Sequence, residues 1–590
     1  MDGGEVRLSR RGFVGGASLA LSGSVAGCLD LFTAQNPELG QPVQLTVKSL
    51  PSDEDPAATG IARRLTENLV DVGADATLVP KSAPELSRDI LIENDYDIFV
   101  ANYPGVFEPD ELRTLLHSSF RDERGWQNPF GFEDAELDGL LDQQKVTDAP
   151  ERNTVIAEIQ RRIIDALPFS VVAIPDELTA VADHLPPTIA PAGLSTPFDI
   201  FRLGTEIQER QSGFRIGILD GRITFDHNPL TPSFPLQSVL TGLLYDPLFA
   251  HVDGTYIPWL ATERTWSEED DRIAFEVTLH EAVRWHDGTP LTAEDIEFTY
   301  RFMDDLSLGS ADLPIPAPRF RGRSSVVEAV DVVDDRTVRF EMDTVGRDIA
   351  SRSLTVPILP QHIWEPRHEL DANGLPVALT TDNEAPVGSG AYMYDDSAPN
   401  ESLLLERNSA HFLEFETPIS PSHTPFESIP FNRIEFRMPT RPPTVGTALS
   451  LINEGELDII ARVPAHAAPS VSRSDHASLE ARPSNKFYMI GFNTTRAPCS
   501  DVVFRRLVGR LVDRTFVVAL IFRGYATPAD SPLAMTEFIP SDLQWEGESA
   551  LGTFPGSSGI LDQEEARSIF IEAGFELDNE QLSLRQSTPD

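Results

Sequence analysis

Three residues lie close enough in sequence to suggest metal or proton chemistry: His280, His286 and Asp287. Neutral imidazoles and a carboxylate are the usual ligands of such a site. The spacing argues otherwise. The chain has no His-Glu-x-x-His and no Cys-x-x-Cys, and His286-Asp287-Gly288 reads as a turn, because Asp-Gly tolerates left-handed backbone. No metal and no cofactor are expected. Nucleophilic chemistry is equally thin, with no Gly-x-Ser-x-Gly elbow and no phosphate-binding loop ending in Gly-Lys-Ser or Gly-Lys-Thr. Two cysteines, Cys28 and Cys499, are too few for a disulfide framework. Cys499, in "RAPCSDVVF", reads as a buried, inert thiol. No enzyme activity is expected, and a secreted hydrolase is the weakest reading.

The elements that would position any site follow from periodicity. At 590 residues the chain is too long for one core, and two to four domains or lobes are expected. A hydrophobic content of 41 % supplies real cores. Basic residues number 47 against 93 acidic, a net charge of −46, and only Lys48, Lys81, Lys145 and Lys486 are lysines. Such a surface repels itself unless salt screens it. Acidic, lysine-poor surfaces of this kind resemble those of proteins from extreme halophiles. Nucleic acid, which needs a basic footprint, is not an expected partner.

In "IAFEVTLHEAVRWHDGTPLTAEDIEFTYRFM", alternation predicts a strand and the His-Asp-Gly turn follows it. Thr292 with Asp295 then forms a capping box, and Ile296, Thr299, Tyr300 and Met303 share a helix face. Near the end, Asp562 with Glu565 opens another helix, with Ala566, Ile569, Phe570 and Ala573 on one face and Gly574 at C′. Leu582 and Leu584 then alternate as in a half-buried strand, and that strand needs a partner.

The first residues resemble an address. Ser9-Arg10-Arg11-Gly12-Phe13-Val14 resembles the twin-arginine export signal, with Arg10 and Arg11 as the pair. The apolar run Phe13–Ala26 is too short to span a bilayer. Val25-Ala26-Gly27-Cys28 resembles a lipobox, which implies lipidation at Cys28. Residues 1–27 are thus expected to be a lipoprotein signal and 28–41 a tether, with the body held by lipid at the outer face of the cytoplasmic membrane.

The 273–303 stretch resembles the signature of family 5 solute-binding proteins, the oligopeptide- and dipeptide-binding components of ABC importers. "GFRIGILDGRITFDHNPLTP", "LTGLLYDPLFAHVDGTYIPWLATERTW", "PVGSGAYMY", "LLLERNSAHF", "ALSLINEGELDII" and the "FYMIGFNTTRAPCS" region follow in family order, so the resemblance runs over 213–590. Family segments expected after the closing helix and strand instead resemble what stands first. "PVQLTVKSLPSDEDPAATGIARRLTENLVDVGADATLVP" resembles a strand and a helix with Ile61, Leu65, Leu69 and Val70 on one side. "NDYDIFVANYPGVFEPDEL" resembles the ligand-side aromatic loop, and "FDIFRLG" the family's closing strand.

The resemblance therefore implies an α/β, two-lobed periplasmic-binding-protein fold of the large type with an extra subdomain, circularly permuted. The family's C-terminal part would occupy 42–204, a linker 205–212, and its N-terminal and middle part 213–590. Lobe one would hold about 172–204 with 213–465, and lobe two about 42–171 with 466–590. Strand Gln581–Arg585 would then pair near Gln44–Leu50.

By the same resemblance the ligand sits between the lobes. Tyr103 and Phe107 are expected as aromatic walls, and Trp126, Tyr245, Ser389 and Asn493 as further ligand-binding residues. Gly105 stands where dipeptide binders carry an aspartate for the peptide's ammonium, which removes that counter-charge; Glu108 is one alternative carboxylate, or fixes the loop. The implied function is capture of a peptide or other small solute for an ABC permease with separate ATPase subunits, by a monomer. The alternative is a non-transport sensor or scaffold with a degenerate cleft.

Overall fold

The computed structural model describes residues 42–583 except 107, 148–149, 186–193, 207–212, 232–235, 270–271, 373, 416–425 and 427. Arg10, Arg11, Cys28 and Phe107 lie outside the described residues, as do 584–585 of the expected terminal strand.

Strand β1 (Gln44–Ser49) leads to helix α1 (Pro56–Asp71) and strand β2 (Asp75–Pro80). Helix α2 (Ala83–Leu91), strand β3 (Ile98–Tyr103) and helices α3 (Glu111–Leu116), α4 (Ala135–Val146) and α5 (Glu151–Ala166) follow. The long strand β4 (Phe169–Ala182) and the short β5 (Phe214–Gly217) complete the frame. Asp55 starts α1 by accepting from the Ala57 and Ala58 amides at 3.1 and 2.9 Å. Ile61, Leu65 and Leu69 bury one face of α1, whereas Val70 falls on the solvent side with 51 % exposure.

Among the described residues, one sheet gathers twelve strands, and β4 is its spine. The first half of β4 pairs antiparallel with Phe487–Phe492, which pairs with β3, then β1 and β2. The second half pairs with Ala477–Pro483 and Ile459–Ile460, and the latter runs parallel to β5. The partner change falls at Ala173–Asp176 of β4 and at Ser484–Lys486.

Apolar side chains divide in the same way. One large core draws on residues from Val181 to Ala461. Two others draw on both ends of the chain, one joining Val43, Leu45 and Val47 to Phe504, Phe570 and Leu582, the other packing Phe99, Phe130 and Ile159 with Phe487 and Met489.

Both capping sequences form helices. Asp295 accepts from the Thr292 amide at 3.0 Å, and Asp562 accepts from Glu564 and Glu565 amides at 3.1 Å. The strand Gln581–Ser583 closes a hairpin with Glu576–Asp578. Its far side meets the other end of the chain. The Val43 amide donates to Leu582 O at 2.8 Å, the Leu582 amide to Gly73 O at 2.7 Å, and Pro42 bridges Ser583. It abuts the entry to β1 without extending the β1 ladder, which is filled by β2 and β3.

One expected element is corrected. Phe198–Gly204 is not a strand but part of a helix, Pro197–Glu206. Pro197 is pre-set for a first helical turn, and Asp199 accepts from the Ser195 and Thr196 amides at 2.9 and 2.8 Å. Phe198 and Phe201 then reach Trp259 in the core.

Candidate functional site

The register of β4 places the site. β3 runs along β4 and ends near Ile174, with β1 beside it ending level with Ser170, while β5 and Ile459–Ile460 run against it and end at Ala180. The carboxyl ends of two sets of strands therefore face each other over the middle of β4. Loops at such ends are where α/β sheets take ligands. From one side come Leu50–Asp55, Pro104–Val106 and Glu108–Asp110; from the other, Ile218–Arg222 and Ala461–Val463.

The floor is charged. Glu177, on β4, ion-pairs with Lys486 and lies 3.4 Å from Arg462, and it also accepts from Ser195. Arg462 has φ +56° and a side chain 29 % exposed. Burial nevertheless lowers its pKa against the pull of Glu177, so it sits deep in the fold while still touching solvent. Across from it the Tyr488 hydroxyl donates to both Asp55 oxygens, at 3.1 and 3.2 Å. Burial raises Asp55, against the capping amides and Tyr488 that favour its ionised form. Each of the four lysines is in an ion pair; besides Lys486 they are Lys48 and Lys81 on Asp89 and Lys145 on Asp343.

A second charged cluster is buried behind the loop that follows β3. Asp110 is fully buried and meets Arg113 at 3.0 Å, Gln144 at 2.7 Å and, 242 residues away, Arg352 at 3.2 Å. Burial pushes Asp110 up, but Arg113 and Arg352 outweigh it and hold the carboxyl below its ordinary value. Arg352 also reaches Glu111 at 3.1 Å. Glu108 pairs with Arg152 and accepts from the Asp110 amide, so it fixes the loop.

Tyr103 is 9 % exposed, stacked on Phe487 with centroids 5.0 Å apart and touched edge-on by Trp126 at 5.1 Å. Trp126 is half-buried against the same core. Gly105 has φ +118°, and a Cβ there would stand 3.1 Å from Asn485 O. These three residues come together at the end of β3. Tyr245, Ser389 and Asn493 do not join them. Tyr245 is buried in the large core and accepts from Asn383 at 3.0 Å. Ser389 accepts from the Asp246 amide at 3.2 Å. Asn493 donates to Asn94 O and Tyr96 O and accepts from Thr495, tying a turn. His286 binds the glycine-rich loop through Gly388 N and Gly390 O, and burial lowers its pKa to about 4. No group of three or more His, Cys, Asp or Glu side chains among the described residues is arranged for a metal. Glu177, Arg462 and Lys486 carry no local motif and Asp55 only that of a helix cap, so the four were not expected here and converge only through the sheet.

The family profile described as bacterial extracellular solute-binding proteins, family 5 Middle, matches residues 255–589, more than half of the chain. The chain belongs to this family. This family 5 chain is 24 % identical over 376 residues to the probable peptide ABC transporter periplasmic-binding protein y4tO of Sinorhizobium fredii, covering 63 % of this chain and 64 % of that one. It is 22 % identical over 296 residues to the oligopeptide-binding protein AppA of Bacillus subtilis, covering 48 % and 47 %. The chain thus spans less than two thirds of these curated relatives' own length. Its structure is similar, with a TM-score of 0.43 and 18 % identity over 63 % of this chain and 66 % of the other, to that of Bacillus subtilis AppA in complex with a nonapeptide. No helix among the described residues is long and apolar enough to cross a membrane.

Proposed function

We propose that this chain is a lipid-anchored extracytoplasmic binding protein that closes two lobes on a peptide or other small solute and delivers it to an ABC permease. The observation that carries the reading is the meeting of two sets of strand carboxyl ends over Glu177, Arg462 and Lys486, in a member of a solute-binding family. The lobes follow the apolar cores, with β4 and Ser484–Lys486 as the two crossings between them. Two crossings make a hinge, and closure about a hinge is how such clefts trap solutes. Tyr103, Trp126 and the Gly105 loop form one wall.

In this reading the fold is circularly permuted, with 42–204 supplying what ordinarily follows 590. The contacts of Leu582 with Val43 and Gly73 support it, because the new ends of a permuted chain must lie together where the ordinary chain runs on unbroken. Export through Arg10 and Arg11, and lipidation at Cys28, complete the placement. The surface of net charge −46 is suited to molar salt. The test is a chromosomal deletion: uptake of the solute that co-purifies with the protein should fall, and a Cys28→Ala variant should release the protein from the membrane fraction. Unchanged uptake would refute delivery to a permease and favour the sensor or scaffold.

A further inference from the structure

In the two-lobe reading the chain crosses between lobes at β4 and at Ser484–Lys486. Side chains join the lobes again elsewhere, behind the loop that follows β3. Residues 110–145 pack with the core around Phe99 and Phe130, residues 318–352 with the large core, and the two segments meet. Ion pairs bridge them. Asp110 meets Arg352 at 3.2 Å, Glu123 takes Arg321 through both its oxygens at 2.9 and 3.0 Å, and Lys145 meets Asp343 at 2.6 Å. Backbone seals the same seam. The Gly346 amide donates to Lys145 O at 2.8 Å. Gly125 has φ +97°, and a Cβ there would stand 2.8 Å from that of Pro318, so only glycine allows this approach.

The seam is no ordinary surface pairing. Arg352, on the helix Arg347–Ser353, has a side chain 7 % exposed, and that of Asp110 is fully buried. Burial works to lower the Arg352 pKa, but Glu111, Glu108 and Asp110 outweigh it and raise it. Removing one partner of a buried pair is costly, because the other charge stays buried without it. Here that cost falls on the joined arrangement alone. With the lobes apart, Arg352 would reach water, and Asp110 would keep Arg113 and Gln144 from its own side. Salt screens buried pairs little, so the seam suits the same molar salt as the surface of net charge −46. Asp110 also ends the loop that carries Gly105, so a residue that holds Asp110 holds the cleft wall.

We propose that these pairs form a clasp that keeps the lobes closed by the chain's own charges, before any solute is bound, with Arg352 as a positioning residue for the Gly105 wall. This rests on the two-lobe reading above. Solute then enters during brief openings, and the clasp sets how often the cleft is open.

The test uses the full chain, stripped of bound solute, in about 2 M KCl. Hydrogen exchange is read at the Gly346 amide, which is bonded across the seam, and solution scattering gives the radius of gyration. Wild type should be compact, with Gly346 protected. Arg321→Gln and Arg352→Gln should each speed Gly346 exchange by at least about tenfold and enlarge the radius of gyration, and Arg352→Lys should recover part of both. Thermal unfolding and exchange of the β1 amides, which belong to another core, report the folding of each variant. Should Arg352→Gln not fold, Arg321→Gln decides, since the Glu123 and Arg321 side chains are 22 % and 18 % exposed. Unprotected Gly346 in wild type, or folded glutamine variants as protected and compact as wild type, would overturn the clasp. No solute enters this measurement, so that result leaves solute capture standing, and a failure to find any bound solute leaves the clasp standing.

Discussion

Phe570 lies on the helix Gln563–Glu572, near the end of the chain, yet it is fully buried in a core that includes Val43 and Leu45 from the beginning. Its ring stands 6.3 Å from Phe504 and 5.7 Å from Phe575 by centroids, in edge-on contacts. Phe570→Ala should therefore cost about 3–5 kcal/mol, since truncating a buried Phe loses transfer energy and leaves a cavity. For a unit of this size that lowers the melting temperature by roughly 6–20 °C. The assay is thermal unfolding in molar KCl by circular dichroism, with hydrogen exchange read at Gln44–Ser49. Amides of β1 should exchange faster in the variant, because the Leu582 contacts that secure the entry to β1 depend on the same helix. Ile560→Ala is the control: that side chain is 72 % exposed and should change stability by less than about 0.5 kcal/mol. A Phe570→Ala protein within about 1 kcal/mol of wild type, with β1 exchange unchanged, would refute the seating of the closing helix on the opening strand.

Other perturbations separate the parts of the structure. His286 has a folded pKa of about 4, below its unfolded value, so the unfolded chain binds more protons between about pH 4 and 6.5 and stability falls as pH drops through that window. His286→Gln should flatten that slope in melts taken at successive pH. Gly105→Asp places a side chain at φ +118° against Asn485 O and should destabilise by about 1–3 kcal/mol in the same melts. Burial raises the Cys499 thiol well above its ordinary value, so it should react with a thiol reagent only when the chain unfolds. Dilution from molar to about 0.1 M KCl should lower the melting temperature, because 46 excess negative charges lose their screening.

Local chemistry was legible in the sequence where it is self-contained. The Thr292–Asp295 box and the His-Asp-Gly turn rest on residues within a few positions of one another and form as read, and Asp562 caps its helix without the reciprocal bond from Glu565. The segment Phe198–Gly204 misled because its apolar residues suit either period, and the Pro197 start with Asp199 behind it decides for helix. Val70 misled by one position on the α1 face.

The site was hardly legible. Resemblance marks a segment as a family turn, and the same residues serve a turn by satisfying its backbone, as Asn493 does with Asn94 and Tyr96. The charged floor could not be found locally, since Glu177 meets Arg462 and Lys486 across separations of 285 and 309 residues.

Solute capture is tested most directly by mass spectrometry of small molecules released from the protein, purified in molar KCl and then denatured. Tight ligands stabilise the closed form by mass action and persist through purification. One solute in near-stoichiometric amount is expected. An extract with no solute, from protein that also fails to bind any peptide added back, would contradict capture and leave the sensor or scaffold reading in its place.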